Sequence, residues 1–150
     1  MKDIPIPEND ERRNLEVEKY KPQQRIDDED LDFLSAMAAE ICGTPSALIT
    51  LIGENTQYIK SAYGMDLETR EFPREFTFCA HTISSPEGFM VVENAREDER
   101  FRNNPFVTGE NPILSYAGVP LSNSSGYSIG SLCTIDFEPK TFSEEQIEKL

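Results

Sequence analysis

The sequence predicts one α+β domain in which a mostly antiparallel sheet carries helices from both ends of the chain. Two observations predict this fold class. Residues 113–137 have the composition of two long strands joined by a tight polar turn. Helical patterns lie near the chain ends, at 8–20, at 27–42 and from Ser143 onward, and shorter apolar runs separate them. Helices that flank one antiparallel sheet are typical of α+β domains.

Composition limits the partners and the compartment. The chain has 150 residues, which suits a single domain over residues 8–150 after a leader at 1–7. The net charge is −14, so nucleic acid and membranes are not expected as partners. No apolar run is long enough to cross a membrane and no signal peptide is recognisable, so we expect a cytoplasmic protein. Three cysteines without a CxxC pair fit a reducing compartment, and a single histidine argues against a zinc site.

The first two predicted helices differ in how much apolar surface they offer. Residues 8–20 favour a helix with few apolar positions, suited to packing against a partner or the sheet. Residues 27–42 form the clearer pattern, with Asp27 placed to cap the helix and Gly43 placed to end it. Its apolar positions recur at steps of three and four residues: Leu31, Leu34, Ala38, Ile41 and Cys42.

The middle of the chain alternates short strands with turns and loops. A long loop before Pro73 carries Met65 and Leu67, and loops of that length are often functional. Asn103, Asn104 and Pro105 are expected to end the charged segment at 93–102. The predicted elements are strands at 47–52 and 58–63 joined by a turn at 53–57, a short helix at 78–84, a strand at 89–92 and a charged turn or short helix at 93–102.

Residues 113–121 and 127–137 predict a central hairpin. The first strand is apolar on both faces, which suggests a position inside the sheet. Gly126 suits a turn position that needs a positive φ. Along the second strand, alternation places these apolar residues on one face, interrupted by Ser131: Tyr127, Ile129, Cys133, Ile135 and Phe137.

The last predicted helix begins with a complete start signal. Ser143 and Gln146 form a capping box, and Phe142 is placed to pack on Ile147 as a hydrophobic staple. The sequence given ends at Leu150, about two helical turns later. We therefore expect this helix to continue into a following domain of a longer protein.

One group of residues predicts reactivity. Cys79 and His81 lie at the start of a predicted short helix, where the helix dipole lowers a thiol pKa. Cys133 approaches them if the inner face of the sheet meets that helix. Such a cluster suits metal binding, cofactor attachment or thiol chemistry. The alternative is that both cysteines are small buried hydrophobes and His81 is a satisfied polar group.

Three motifs resemble the GAF domain, in the subgroup found in bacterial sensor histidine kinases and diguanylate cyclases. They are PREFTFCAHTI at 73–83, the segment 91–121, and GYSIGSLCTIDF with its continuation at 126–150. The resemblance extends over residues 8–150. It implies a profilin-like sheet of about six antiparallel strands, with the terminal helices on one face and the ligand side under the short helix and loops on the other.

The resemblance also implies the ligand-pocket candidates. Bilin-binding relatives attach their chromophore to a Cys followed directly by His, whereas Ala80 separates the two residues here, so no chromophore is expected. Asp136 ends a long strand and either orients a polar ligand or anchors the chain. The candidates are Phe78, Cys79 and His81 at the rim or wall, Phe101, Asn104 and Tyr116 in the lining, Cys133 on the floor, and Asp136.

Three functions follow from this resemblance. The first is a sensory module, most often of a histidine kinase, that binds a small molecule and forms a homodimer through its terminal helices. The second is a thiol-dependent enzyme resembling free methionine sulfoxide reductase, with Cys79 or Cys133 as nucleophile. The third is a dimerisation module without a ligand.

Overall fold

A six-stranded antiparallel sheet is the centre of the computed structural model, which describes residues 4–20, 29–65, 67 and 69–150. The strand order is β3-β2-β1-β6-β5-β4, so the long strands β1, β6 and β5 lie inside the sheet. This arrangement confirms the predicted fold class. The strands are β1 Ser46–Ile52, β2 Thr56–Tyr63, β3 Glu71–Pro73, β4 Met90–Val92, β5 Ser115–Ser122 and β6 Ser128–Asp136.

Five α-helices are present in the described ranges. They are α1 Asp10–Tyr20, α2 Glu29–Cys42, α3 Cys79–Thr82, α4 Pro105–Thr108 and α5 Glu144–Lys149. Residues Arg74–Phe76 and Ala95–Glu97 form single 3₁₀ turns. The Asp27 cap predicted for α2 lies outside the described residues. In the part of the chain that the structure describes, no helix has the length and apolar character of a membrane span.

Helix α4 is an element that the sequence did not predict. The Asn104 side chain accepts a hydrogen bond of 2.8 Å from the Phe106 amide, which caps the helix. Pro105 occupies the first turn, where its missing N–H costs nothing. The residues that were expected to end the segment 93–102 therefore also start a helix.

The two faces of the sheet have different coverings. Leu48 and Ile52 of β1 face the core that includes Phe78 and Cys79. The alternate positions pack under the terminal helices, with Ala47 against α2 and Leu51 against Val17 of α1. The terminal helices therefore share one face, as the resemblance implied, and α3 lies on the other.

A β-bulge in β6 corrects the prediction that the alternate apolar residues between Tyr127 and Phe137 all lie on one face of the sheet. Leu121 pairs with Gly130 and Ser122 pairs with Ser128, so Ile129 is the extra residue. The bulge turns Ile129 toward Val17 and Leu51 on the helical face. Cys133, Ile135 and Phe137 stay on the opposite face, in the core that contains Phe78 and Cys79.

The start of α5 matches the predicted capping box. Ser143 Oγ accepts a hydrogen bond of 3.1 Å from the Gln146 amide, and Gln146 Oε1 accepts one of 2.9 Å from the Ser143 amide. Phe142 and Ile147 pack in one apolar cluster, as the staple requires. Gln146 Nε2 also donates to the Ile41 carbonyl at 3.1 Å, which ties α5 to the end of α2.

Candidate ligand-binding cavity

A cavity of about 400 Å³ lies on the sheet face opposite the terminal helices. Cavities that hold small ligands in proteins measure roughly 300–1,000 Å³. Its walls are mainly aliphatic and aromatic. The lining residues are Leu48, Gln57, Ile59, Gly64, Met65, Leu67, Phe72, Thr77, Phe78, Cys79, Phe106, Asn111, Ile113, Tyr116, Cys133, Ile135 and Phe137.

Each wall of the cavity comes from a different part of the chain. The central strands supply the floor because alternate side chains of β1, β2, β5 and β6 point to this face. The long loop before Pro73 contributes Met65 and Leu67, as its length suggested. Helix α4 contributes Phe106, whose ring meets that of Phe72 edge to face at a centroid distance of 5.7 Å.

Two thiols lie together on the cavity floor. The Sγ atoms of Cys79 and Cys133 are 3.7 Å apart, within range of a thiol hydrogen bond. Tyr116 Oη donates to Cys79 Sγ at 3.3 Å and shares a hydrogen bond of 2.6 Å with Thr82 Oγ1. Cys79 and Cys133 are therefore the two predicted reactive residues that the fold brings together.

The surroundings of these two thiols shift their pKa values in opposite directions. Burial alone raises the pKa of Cys79, but hydrogen bonds from Cys133, Ser131 and other donors outweigh burial and lower that pKa. The pKa of Cys133 is raised by its hydrogen bond to Cys79 and by burial. Cys79 is therefore the thiol that ionises first.

Four of the eight predicted pocket residues line the cavity, and the other four lie outside it. Phe78, Cys79, Tyr116 and Cys133 are in the lining. Phe101 lies behind the wall, stacked on Phe78 at a centroid distance of 4.1 Å. The remaining three predicted residues are His81, Asn104 and Asp136, which have other contacts.

His81, Asn104 and Asp136 have contacts that hold the framework. The His81 ring meets Phe101 edge on at 4.8 Å, and burial followed by the nearby Arg100 lowers the His81 pKa to about 4. Asn104 Nδ2 donates to the Phe76 carbonyl at 2.8 Å. Asp136 Oδ1 accepts from the Glu138 amide at the end of β6. Among the described residues, no three His, Cys, Asp or Glu side chains gather as a metal site would require.

Gln57 is a lining residue that sequence reasoning missed. The sequence predicted a turn at 53–57, whereas β2 begins at Thr56 and pairs Gln57 with Ile52. Gln57 therefore shares the cavity face with Ile59, two positions later. It is 5% exposed, and its Oε1 has no hydrogen-bond partner. Extending the alternation of β2 by one residue toward the N-terminus would have found it.

A second missed feature is a buried ionic cluster of Asp10, Arg13 and Arg74, called the arginine clamp below. Arg13 is 0% and Arg74 is 2% exposed. Both donate to Asp10 Oδ1 at 2.9 Å. Arg13 also donates to the Ile52 carbonyl, and Arg74 donates to the Gly53 carbonyl at 3.1 Å.

The arginine clamp connects α1 to the cavity wall. Arg74 precedes the lining residues Thr77 and Phe78 by three and four positions. The Thr77 hydroxyl donates to the Arg74 carbonyl at 2.9 Å. Burial raises the pKa of Asp10, but hydrogen bonds from Arg74 and Arg13 outweigh burial and lower it, which keeps the carboxylate charged.

The layers found here, with helices on one face and a cavity under a short helix on the other, are those of a GAF-type regulatory fold. Residues 28–150 match the GAF domain, so the chain belongs to the GAF domain family. The chain is 38% identical over 136 residues to a cyclic di-GMP phosphodiesterase of Pseudomonas aeruginosa. The aligned part is 91% of this chain and 23% of the relative, so the chain spans less than a quarter of that protein.

Solved structures share the fold at low identity. The GAF domain of a phosphoenolpyruvate-protein phosphotransferase from Coxiella burnetii superposes with a TM-score of 0.64 at 12% identity, covering 93% of this chain and 84% of that one. A type II free methionine-R-sulfoxide reductase from Thermoplasma acidophilum gives a TM-score of 0.63 at 12% identity, covering 89% and 86%. At identities this low the likeness shows the common fold alone.

Proposed function

We propose that this chain is the sensory GAF module of a cytoplasmic signalling protein and that a small molecule bound in the cavity controls an output domain. The cavity is the observation that carries this proposal. It has the volume of a ligand site, and its walls are built by elements from the whole domain. An apolar space of this size is a costly feature for a module with a purely structural role.

The arginine clamp supplies a route from the cavity to α1. A ligand that displaces Thr77 or Phe78 acts on Arg74, and Arg74 holds Asp10 of α1. Arg74 also donates to the Gly53 and Glu54 carbonyls, in the turn that precedes Gln57. A ligand shifts this equilibrium only by its difference in affinity between the two arrangements.

The curated relative supports a proposal for the output domain. The match to a cyclic di-GMP phosphodiesterase favours a parent protein that acts in cyclic di-GMP turnover. A histidine kinase, which the sequence resemblance favoured, is the other candidate for the output. In both cases this domain regulates and does not itself catalyse.

We also propose that the chain forms a homodimer. Four large apolar side chains of α1 and α2 are exposed, and a second copy of the chain would cover them. They are Leu15 at 64%, Phe33 at 63%, Leu34 at 48% and Met37 at 42% exposure.

The test fills the cavity and follows the output of the parent protein. Ile113 is a half-buried lining residue, so the larger side chain of Ile113→Trp fills part of the cavity with little disturbance of the core. Leu121→Trp, at a half-buried position of β5 away from the cavity, is the matched control. The output is measured with and without a small-molecule extract of the cells that make the protein.

We expect the extract to change the output of the wild type and of Leu121→Trp, and to leave Ile113→Trp unresponsive. An output that ignores the extract in the wild type contradicts the sensory role. A full response in Ile113→Trp contradicts the cavity as its site.

A thiol-dependent enzyme is the second candidate, favoured by the two cysteines on the cavity floor. Their sulfur atoms are 3.7 Å apart, and the pKa of Cys79 is lowered. In the reaction the two thiols reduce a sulfoxide: its oxygen leaves as water, the sulfoxide becomes a thioether and the cysteines form a disulfide. Dithiothreitol then reduces the disulfide.

The assay measures loss of free methionine sulfoxide with dithiothreitol present. Under this second candidate, Cys79→Ser and Cys133→Ser both lose the activity and Cys42→Ser keeps it. If the wild type reduces methionine sulfoxide no faster than a variant that carries both Cys79→Ser and Cys133→Ser, the thiol-dependent activity is excluded.

A further inference from the structure

The starting observation is the unpaired amide oxygen of Gln57. Its side chain lines the cavity and is 5% exposed, and Oε1 has no partner. Buried polar atoms in folded proteins almost always have a hydrogen-bond partner, because an unpaired one has lost its water without compensation. An orphaned acceptor in a ligand-sized cavity indicates where a donor of the ligand binds.

The hydroxyl donors of the cavity wall are already committed. The Thr77 hydroxyl donates to the Arg74 carbonyl at 2.9 Å. The Tyr116 hydroxyl donates to Cys79 Sγ at 3.3 Å and is bonded to Thr82. These two hydroxyls therefore do not supply the partner of Gln57 Oε1, and a donor on the occupant of the cavity would satisfy it.

The charge of the walls restricts the occupant further. None of the described lining residues is Asp, Glu, Lys, Arg or His. A charged group enters such a space only when an opposite charge or several hydrogen bonds compensate its lost hydration. The net charge of −14 adds a general repulsion of anions.

The shape of the walls favours an apolar ring. Phe72, Phe78, Phe106 and Phe137 enclose the space, and aromatic side chains stack well on planar apolar groups. The volume of about 400 Å³ corresponds to roughly a dozen water molecules. These limits describe a compact molecule.

We propose that the cavity selects uncharged, mainly apolar ring compounds that donate one N–H or O–H hydrogen bond to Gln57. Phosphates and carboxylates are rejected. This inference rests on the proposed sensory function for its biological meaning, and its binding test is independent of the output.

The test uses three probes of similar shape and calorimetric titration of the 150-residue chain. Indole is uncharged and donates through its N–H, benzofuran is its isostere without a donor, and indole-2-carboxylate adds a charge. We expect indole to bind roughly tenfold more tightly than benzofuran, which is the effect of one hydrogen bond. Indole-2-carboxylate should bind at least tenfold more weakly than indole.

The variant Gln57→Met removes the acceptor and keeps the length of the side chain. It should bring the affinities for indole and benzofuran together. The melting temperature of the free protein should stay or rise, because the variant removes an unpaired buried acceptor. Asn111→Ala, which changes an exposed amide of the lining, is the control and should keep the preference for indole.

Each contrary result overturns the proposal. These results are no binding of indole, equal binding of benzofuran, tighter binding of the carboxylate, or a preference that persists in Gln57→Met. A melting temperature several degrees lower in Gln57→Met would mean that the amide is paired in the free protein. These tests can fail while Ile113→Trp still abolishes the response to cell extract. In that case the proposed sensory function is retained and the proposed class of ligand is wrong.

Discussion

Asp10 is shared by two buried arginines, so its charge holds the arginine clamp together. We expect Asp10→Asn to lower the free energy of unfolding by about 3 kcal/mol, because two buried guanidinium groups lose their counter-charge. Urea denaturation measures this difference. Glu11→Gln, on the exposed side of the same helix turn, is the control and should change stability little.

The effect of Asp10→Asn should also depend on pH. The folded-state pKa of Asp10 lies below its ordinary value of 3.8, so its stabilising contribution is present above that value. The contribution is lost as the pH falls through the lower folded pKa. The stability difference between wild type and variant should therefore be constant from neutral pH to about pH 4 and shrink below it. A difference that persists undiminished at pH 2 contradicts the ionic role.

Tyr116 should set the reactivity of Cys79. Its hydroxyl donates to the Cys79 sulfur at 3.3 Å and stabilises the thiolate. Tyr116→Phe should raise the Cys79 pKa and slow its alkylation by iodoacetamide at pH 7 roughly two- to fivefold. Mass spectrometry gives the rate at each cysteine, with Cys42, whose pKa burial raises, as the slow reference. Cys133 reacting faster than Cys79 would contradict the assignment.

At the level of elements, the close pairing of β6 with β1 depends on Gly130. A Cβ at this position would collide with the Thr50 carbonyl of the neighbouring strand. We expect Gly130→Ala to cost about 3 kcal/mol or more in urea denaturation, because the backbone of β1 has to move. Gly126→Ala, at a turn with φ of +85° and open space around it, should cost only about 1–2 kcal/mol. Equal costs would mean that the strand pairing at Gly130 is different.

Elements that depend on residues close together in the sequence could be predicted, whereas features that depend on contacts between distant residues could not. The start of α5 was predictable because Ser143 and Gln146 bond to each other across three positions. The turn at Gly126 was also predictable, because the turn residues that specify it are neighbours in the sequence. The bulge at Ile129 was not, because alternation in one strand carries no information about its partner.

The candidate site was predictable only where a motif contained it. Cys79, Phe78, Tyr116 and Cys133 lie in the segments that resemble GAF domains. The arginine clamp joins residues 64 positions apart, and nothing in the local sequence links Asp10 to Arg74. Gln57 was not predicted as a lining residue because its side chain is polar, and a polar residue near a glycine suggests a turn.

At the level of the whole molecule, the exposed apolar residues of α1 and α2 predict self-association. Phe33→Glu should convert the proposed dimer to a monomer, because it places a charge in the contact. Light scattering after gel filtration measures the mass. Tyr63→Glu, at a side chain that is 46% exposed at the end of β2, is the control and should remain dimeric. A wild-type monomer at high micromolar concentration contradicts the dimer.

The two faces of the sheet give the molecule its proposed mechanism. One face holds the cavity, the other carries the terminal helices, and the arginine clamp connects the two at the end of β1. The central claim is that a molecule in the cavity changes how α1 is held. Hydrogen–deuterium exchange of the chain with and without saturating indole tests this claim most directly. We expect altered exchange in 10–20 and 71–79, which needs roughly tenfold more indole in Gln57→Met, whereas bound indole with unchanged exchange in 10–20 would contradict the claim.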